Sequence, residues 1–386
     1  MATTAPTVQA QAQKPGWPDT IRRVLNSMVV PVLAVITALA VGAVIIFFTS
    51  GGLANPREAL QTVFLAYQGL IEGAFLKERG FSETLVATTP YIFSGLAVAF
   101  AFKGGLFNIG AEGQFFLGAI SAAWIGFAVG MPPVIHLIFS LGMGFLGGAM
   151  WGAIPGFLKA RTGAHEVITT IMLNYTAFLL VDWLVTGPLR SKTGTAPKTP
   201  DVLESARLPT FFAAPDRLHL GFVLAVLTAI FIWWVLNKTT LGFEIRTVGA
   251  NRFAAQYAGI SVARIFVLTM AIAGGLAGIS GAVEVLGLQH NLPAFFSAGY
   301  GFDSIAVALL ARSDPIGVIP SAFLFGALRN GADLMELRSG VSKQIISIIQ
   351  ALILLFVAAP EIIRALYRIR KPETAIEETP LTQGWG

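Results

Sequence analysis

Residues 113–158 read GQFFLGAISAAWIGFAVGMPPVIHLIFSLGMGFLGGAMWGAIPGFL, without a single Asp, Glu, Lys or Arg. A helix needs about 20 apolar residues to cross the roughly 30 Å hydrocarbon core of a bilayer, so this stretch alone is long enough for two crossings. Further charge-free stretches occupy 24–56, 84–102, 218–237, 265–283, 285–302 and 344–360. Across all 386 residues, charged side chains make up 12% and hydrophobic ones 55%, about half the charge of an ordinary soluble domain. A soluble fold is excluded. The apolar runs are continuous rather than alternating, which also excludes a transmembrane β-barrel. The fold class is an all-α polytopic membrane protein.

About ten transmembrane helices fit the charge gaps: 28–49, 82–102, 105–129, 133–158, 166–187, 219–237, 264–288, 303–312, 315–335 and 343–361. The eighth is too short for an ordinary crossing, so it is either a half-helix or a span whose boundaries need moving. Segment 55–78 is amphipathic and is expected at the outer interface. With the N-terminus inside, Lys and Arg favour the inner segments, as the orientation rule for membrane proteins requires. Both termini are therefore expected in the cytoplasm, as tails 1–27 and 362–386 flanking a transmembrane domain 28–361. The long segment 188–218, with Pro188, Pro197, Pro200, Pro209 and Pro215, reads as an ordered external excursion. Five crossings in each half would place the halves in opposite orientation, as in transporters built from inverted repeats.

The net charge of +5 reflects this topology rather than nucleic-acid binding, because no basic cluster is interleaved with aromatics. The chain has no cysteine, hence neither disulfides nor thiolate chemistry. His165-Glu166 opens a zinc-protease pattern, but Thr169 stands where the second His belongs; the four histidines show no metal-ligand spacing. Gly105, Gly110 and Gly113 lack the strand–turn–helix setting of a dinucleotide fingerprint, and no G-x-x-x-x-G-K-[ST] run occurs. The chain is thus read as a non-enzyme with no cofactor and no metal. Any ATP-driven step would need a motor on another polypeptide.

Gly144, Gly148, Gly152 and Gly156 recur every fourth residue, and Gly274, Gly278 and Gly281 form a similar face. Such faces let helix backbones approach closely in lipid. Polar groups at membrane depth are few and costly, so they face a cavity or a partner. Asn108 and Glu112 share a helical face, with Gln114 close by, beside a plausible helix break at Gly104–Gly110. Thr170 and Asn174 share another face, with Asp182 further out. Either a polar lining for a hydrophilic solute or a hydrogen-bonded brace between helices fits these sets. Asp303, Arg329, Asn330 and Asp333 form the matching set in the second half, where Arg329 and Asp333 are spaced to pair. Glu284 and His290 are expected near a membrane face.

The loop Lys238–Arg264 carries Lys238, Arg246, Arg252 and Arg264 around Phe253-Ala254-Ala255-Gln256-Tyr257-Ala258-Gly259. A short Ala-rich helix ended by Gly can dock in a groove on a soluble partner. At this point the chain resembles the membrane permeases of ATP-binding-cassette importers, in the branch serving nucleosides and simple sugars (branched-chain amino acid permease-like). The resemblance rests on Gly105-Leu106-Phe107-Asn108-Ile109-Gly110-Ala111-Glu112-Gly113-Gln114 and on His165 through Tyr175. It rests equally on Val248-Gly249-Ala250-Asn251 with Tyr257-Ala258-Gly259-Ile260, and on Gly301-Phe302-Asp303-Ser304 through Leu310. The first two look most like the nucleoside branch.

The resemblance implies an ABC ATPase subunit, a second permease and an external substrate-binding lipoprotein as partners, in the cell's inner (plasma) membrane. It also implies a coupling role for Asn251, Arg252, Phe253, Ala254, Ala255, Tyr257 and Gly259. The family's E-A-A-x-x-x-G pattern has Phe253 in place of its leading acid, which removes any ion pair that acid would make. The chain looks like the longer of two non-identical permeases, so a heterodimer is expected. The expected function is translocation of nucleosides along a pathway lined by Asn108, Glu112, Gln114, Asn174 and Asp303. The rival readings are a ribose-like sugar permease and an ion-coupled secondary carrier.

Overall fold

The computed structural model describes residues 17–368 except 295, 297 and 298. Its helices are α1 (Trp17–Thr49), α2 (Pro56–Ile71), α3 (Gly80–Lys103), α4 (Ala111–Ala128), α5 (Pro133–Thr162), α6 (Glu166–Thr186) and α7 (Gly221–Lys238). They continue with α8 (Thr240–Ala250), α9 (Arg252–Tyr257), α10 (Val262–Glu284), α11 (Tyr300–Leu310), α12 (Pro315–Ser339), α13 (Gln344–Ala358) and α14 (Pro360–Leu366). π-helical turns at Glu72–Leu76 and Val285–Gln289 extend α2 and α10. Among the described residues, strand pairing is confined to the isolated bridges Lys198–Pro293 and Thr210–His219. The expected tails lie largely outside the described residues; α1 already begins at Trp17, and α14 ends at Leu366.

The ten expected crossings resolve differently. Seven described helices are long and apolar enough to cross a bilayer, and α13 with α14, bent by 88°, would make an eighth. Segment 55–78, expected at the interface, is one of the seven by length and composition, as Pro56–Leu76. It packs along α12, where the Arg338 guanidinium meets Glu72 in two hydrogen bonds of 2.5 and 2.6 Å. The 105–129 segment shortens to α4 because residues 104–110 leave the helix. The 303–312 segment is the half-helix α11. Helix α12 has the length to cross, but Arg329, Asp333, Glu336 and Arg338 set it apart from the apolar spans.

Helix α3 is the centre of the bundle. Tyr91 through Ala101 are all fully buried or nearly so, beneath α10, α11, α12 and α7. The outer helices keep large apolar side chains exposed, among them Ile138, Phe139, Met150, Leu179 and Trp183. Such a surface fits hydrocarbon and not water.

The two glycine faces meet each other. A methyl group at Gly148 would lie 2.2 Å from the Gly274 carbonyl oxygen, and one at Gly278 would lie 2.2 Å from that of Gly144. Helices α5 and α10 therefore touch backbone to backbone. Dispersion and close packing hold this seam, since lipid supplies no hydrophobic drive between helices.

The 188–218 excursion is ordered, running along the chain that follows α10. Val202 N–H donates to His290 O (2.7 Å), Thr199 N–H to Leu292 O (3.0 Å) and Leu208 N–H to Leu286 O (3.0 Å). Its tip is tied to the start of α3 by Ser82 Oγ on Asp216 (2.5 Å) and by the two-pronged Arg217–Glu83 pair. Glu83 holds the Arg217 guanidinium even further above the ordinary arginine range.

Candidate functional site

Glycine ends α3 in the middle of the motif-rich stretch. Gly105 takes φ +70°, its N–H donates to Phe102 O (3.0 Å), and Leu106 N–H donates to Ala101 O (3.0 Å). This is a Schellman cap, in which a left-handed residue lets the last carbonyls find donors. The chain then runs irregularly to Gly110 before α4 begins, and backbone of that kind is tolerated at depth only where protein or water satisfies it.

Side chains supply the missing partners. Asn108 Oδ1 accepts from Gly110 N–H (3.1 Å), and the Asn108 and Gln114 amides exchange bonds of 2.8 and 3.1 Å. From α6, Asn174 accepts from Gly113 N–H (2.8 Å) and donates to Ile109 O (2.9 Å). Asn108, Glu112, Gln114 and Asn174 are all at most 1% exposed. Removing one such partner strands a buried donor or acceptor, at about 1–3 kcal/mol each.

Glu112 reaches in the other direction. Its carboxylate accepts from Gly299 N–H (3.0 Å) and Gly301 N–H (2.6 Å), at the start of α11. Free N–H groups at a helix start favour an anion there. One turn into α11, Asp303 is half-buried and accepts from the Tyr91 hydroxyl (2.7 Å). The Tyr91 oxygen in turn accepts from Arg329 (3.2 Å), whose guanidinium lies 4.2 Å from the centre of the Tyr300 ring. Arg329 therefore does not pair with Asp333. Asp333 points out and meets Lys343 at 3.1 Å, while Arg329 turns inward to aromatic and hydroxyl groups that suit a desolvated guanidinium. Asn330 donates to Gly73 O, Gly80 O and Thr84 Oγ1 at 2.9–3.2 Å, closing the turn between α2 and α3. Glu284 is buried at the end of α10 with Gln289 on its carboxylate (3.3 Å).

The loop after α7 folds into two helices. Thr239 caps α8 through Gly242 N–H (3.1 Å). Asn251 caps α9, accepting from Phe253 N–H (2.9 Å) and Ala254 N–H (3.0 Å), the residue type such a position favours. Ala255 faces inward and is fully buried, whereas Phe253 is 61% and Tyr257 95% exposed. The Arg252 guanidinium lies over the Phe253 ring at 5.0 Å, and Gly259 leaves the helix at φ +80°.

Residues 80–358, from the first residue of α3 to the last of α13, match the family model described as branched-chain amino acid transport system / permease component. The chain belongs to this permease family. It is 42% identical to the guanosine ABC transporter permease protein NupP of Bacillus subtilis over 345 residues, covering 88% of this chain and 95% of that one. The nucleoside ABC transporter permease protein NupB of Lactococcus lactis is 35% identical, covering 92% and 97% of the two chains. The glucose ABC transporter permease protein TsgB13 of Haloferax volcanii is 34% identical, covering 88% and 89%. The polytopic, all-helical architecture agrees with this membership.

In this permease, then, the structure draws Asn108, Gln114 and Asn174 into one bonded cluster, while Glu112 beside it on α4 bonds the start of α11, which carries Asp303. Residues 251–259 form a separate unit around α9. Tyr91 and Tyr300 escaped the sequence reading, although a phenol inside a charge-free stretch is itself a signal, because its hydroxyl needs a partner. The helical state of 240–250 escaped it too, the Thr239 cap being its one local mark.

Proposed function

We propose that this permease is the membrane-spanning subunit of an ATP-driven ABC importer, passing nucleosides delivered by an external binding protein. It would work beside a second, non-identical permease, with hydrolysis carried out by ATPase subunits. The membrane would be the cell's inner (plasma) membrane, with both termini and the 238–264 loop in the cytoplasm and 188–218 outside. The nucleoside preference is supported by the names of the guanosine and nucleoside relatives.

The observation that carries the reading is α9. A six-residue helix outside the spans, presenting Phe253 and Tyr257 one turn apart, is built to be covered by a partner. The solute is proposed to pass on the side of Asp303, beside exposed Phe302. Asn108, Glu112, Gln114 and Asn174 would shape that path from behind by holding the backbone that borders it.

The test is the double substitution Phe253→Asp with Tyr257→Asp in the whole transporter. Co-purification of the ATPase should fall by at least about ten-fold, since two apolar anchors are lost, while membrane insertion persists. Full retention of the ATPase would defeat the docking role. A simple-sugar substrate is the second reading, favoured by the glucose relative; competition of labelled guanosine uptake by nucleosides and by sugars separates the two. Gradient-driven uptake by the purified chain alone, without ATP, would indicate an ion-coupled carrier instead.

A further inference from the structure

We infer that residues 104–113 form a stiff strut that passes movement of the α8–α9 loop to α11, with Gly249 and Gly301 as side-chain-free joints and Glu112 as the positioning residue. The inference rests on the proposed docking of an ATPase on α9.

The first joint lies where α8 meets the end of α3. A methyl group at Gly249 would lie 2.2 Å from Lys103 O and 2.9 Å from Gly105 N, so the two backbones touch directly. The second joint lies where α11 meets α4. A methyl group at Gly301 would lie 2.2 Å from Glu112 N and 2.4 Å from Glu112 Cα. With no side chain between them, neither contact contains a rotamer that could absorb a displacement.

The connecting backbone is irregular, which by itself suggests softness. Its bonding argues otherwise. The Schellman cap holds 104–106, Asn108 and Gln114 hold 108–110, and Asn174 ties Ile109 and Gly113 to α6. Glu112 then grips the start of α11 through two N–H groups. The receiving element suits the role, because α11 has only 11 residues and cannot span a bilayer alone. Among its further polar ties to the bundle are Asp303 on Tyr91 and Tyr300 beneath the Arg329 guanidinium. Displacing the first turn of α4 would therefore re-aim α11 and the Asp303 carboxylate with it. Packed elements of this kind change between discrete arrangements rather than bending continuously.

The experiment uses the whole transporter in proteoliposomes: permease, companion permease, ATPase and binding protein. It measures bound ATPase, ATP hydrolysis and solute moved per ATP. Gly249→Ala and Glu112→Gln are expected to keep the ATPase bound and hydrolysing while solute moved per ATP falls roughly ten-fold. Glu112→Gln keeps the side-chain volume and one acceptor oxygen, so it decides the matter where Gly249→Ala fails to assemble. A purely structural role lowers hydrolysis and uptake together and leaves the ratio unchanged. That result, an unaltered transporter, or loss of the ATPase from the Glu112→Gln complex would each overturn the inference. Failure of the docking reading shows separately, as an ATPase that stays bound to the Phe253→Asp, Tyr257→Asp permease.

Discussion

The α5–α10 seam and the 104–113 strut both bring backbones together by removing side chains, and they do so in opposite ways. Along the seam, glycines recur every fourth residue on two regular helices, whose backbone bonds are already made internally. Close approach there needs only the absence of Cβ atoms. In the strut, the helix is broken, its backbone groups have lost their internal partners, and Asn108, Gln114, Asn174 and Glu112 must replace them. The lesson is that a glycine contact between regular helices asks nothing more of the sequence. A glycine contact on irregular backbone demands a surrounding shell of amides and carboxylates.

The most damaging way to break this contrast is at the seam. Gly148→Val places methyl groups where the Gly274 carbonyl now lies, and overpacking of that kind costs about 3 kcal/mol or more. Thermal unfolding in detergent should show a large loss of stability and a poor yield of monodisperse protein; wild-type behaviour would mean that the two helices part easily. Asn174→Leu tests the strut. It strands Gly113 N–H and Ile109 O, with an expected cost of about 2–3 kcal/mol, and uptake should drop although the transporter still assembles. Unchanged uptake kinetics would reduce Asn174 to a passive brace between α4 and α6.

The smallest effect sharpens the contrast through pH. The seam stretches 133–158 and 265–283 contain no acidic or basic residue apart from His136, but beyond the end of α10 the His219 ring fills the space against Gly287. Burial, with His290 adding to it, pushes the His219 imidazole down to about 4 from an ordinary 6.5. His290 itself is lowered by burial and by Arg207, against Asp201. The unfolded chain then takes up the proton first as pH falls below 6.5, so stability declines between about 6.5 and 4 and is fully present above that window. By pH 5 the loss amounts to about 2 kcal/mol. Hydrogen exchange should show the 199–210 amides loosening across this range in the wild type and not in His219→Phe, while seam amides stay protected.

Much of the fold was legible because its causes are local. Charge-free length marks a span, four-residue glycine spacing marks a close helix pair, and an Ala-rich run ended by Gly259 marks a short loop helix. That the eighth segment is too short for an ordinary crossing was readable for the same reason. What the amphipathic 55–78 segment packs against was not legible, because Arg338, which meets Glu72, lies far away in the chain. The polar cluster was legible as a set of residues but not as a set of bonds.

The amino-acid sequence by itself determined that this is a helical membrane protein, that its chain breaks near Gly104–Gly110, and that a short Ala-rich helix sits in the loop 238–264. Those properties follow from hydropathy and residue spacing within about twenty residues of chain, whereas the permease reading came from the resemblance of its motifs to a known family. Only the tertiary structure decided that Arg329 turns to Tyr91 and Tyr300 rather than to Asp333, that Glu112 holds the start of α11, and that Gly249 abuts Gly105. A buried polar group has several chemically equivalent partners available in the sequence, and the one it takes depends on which backbones pack within hydrogen-bond reach.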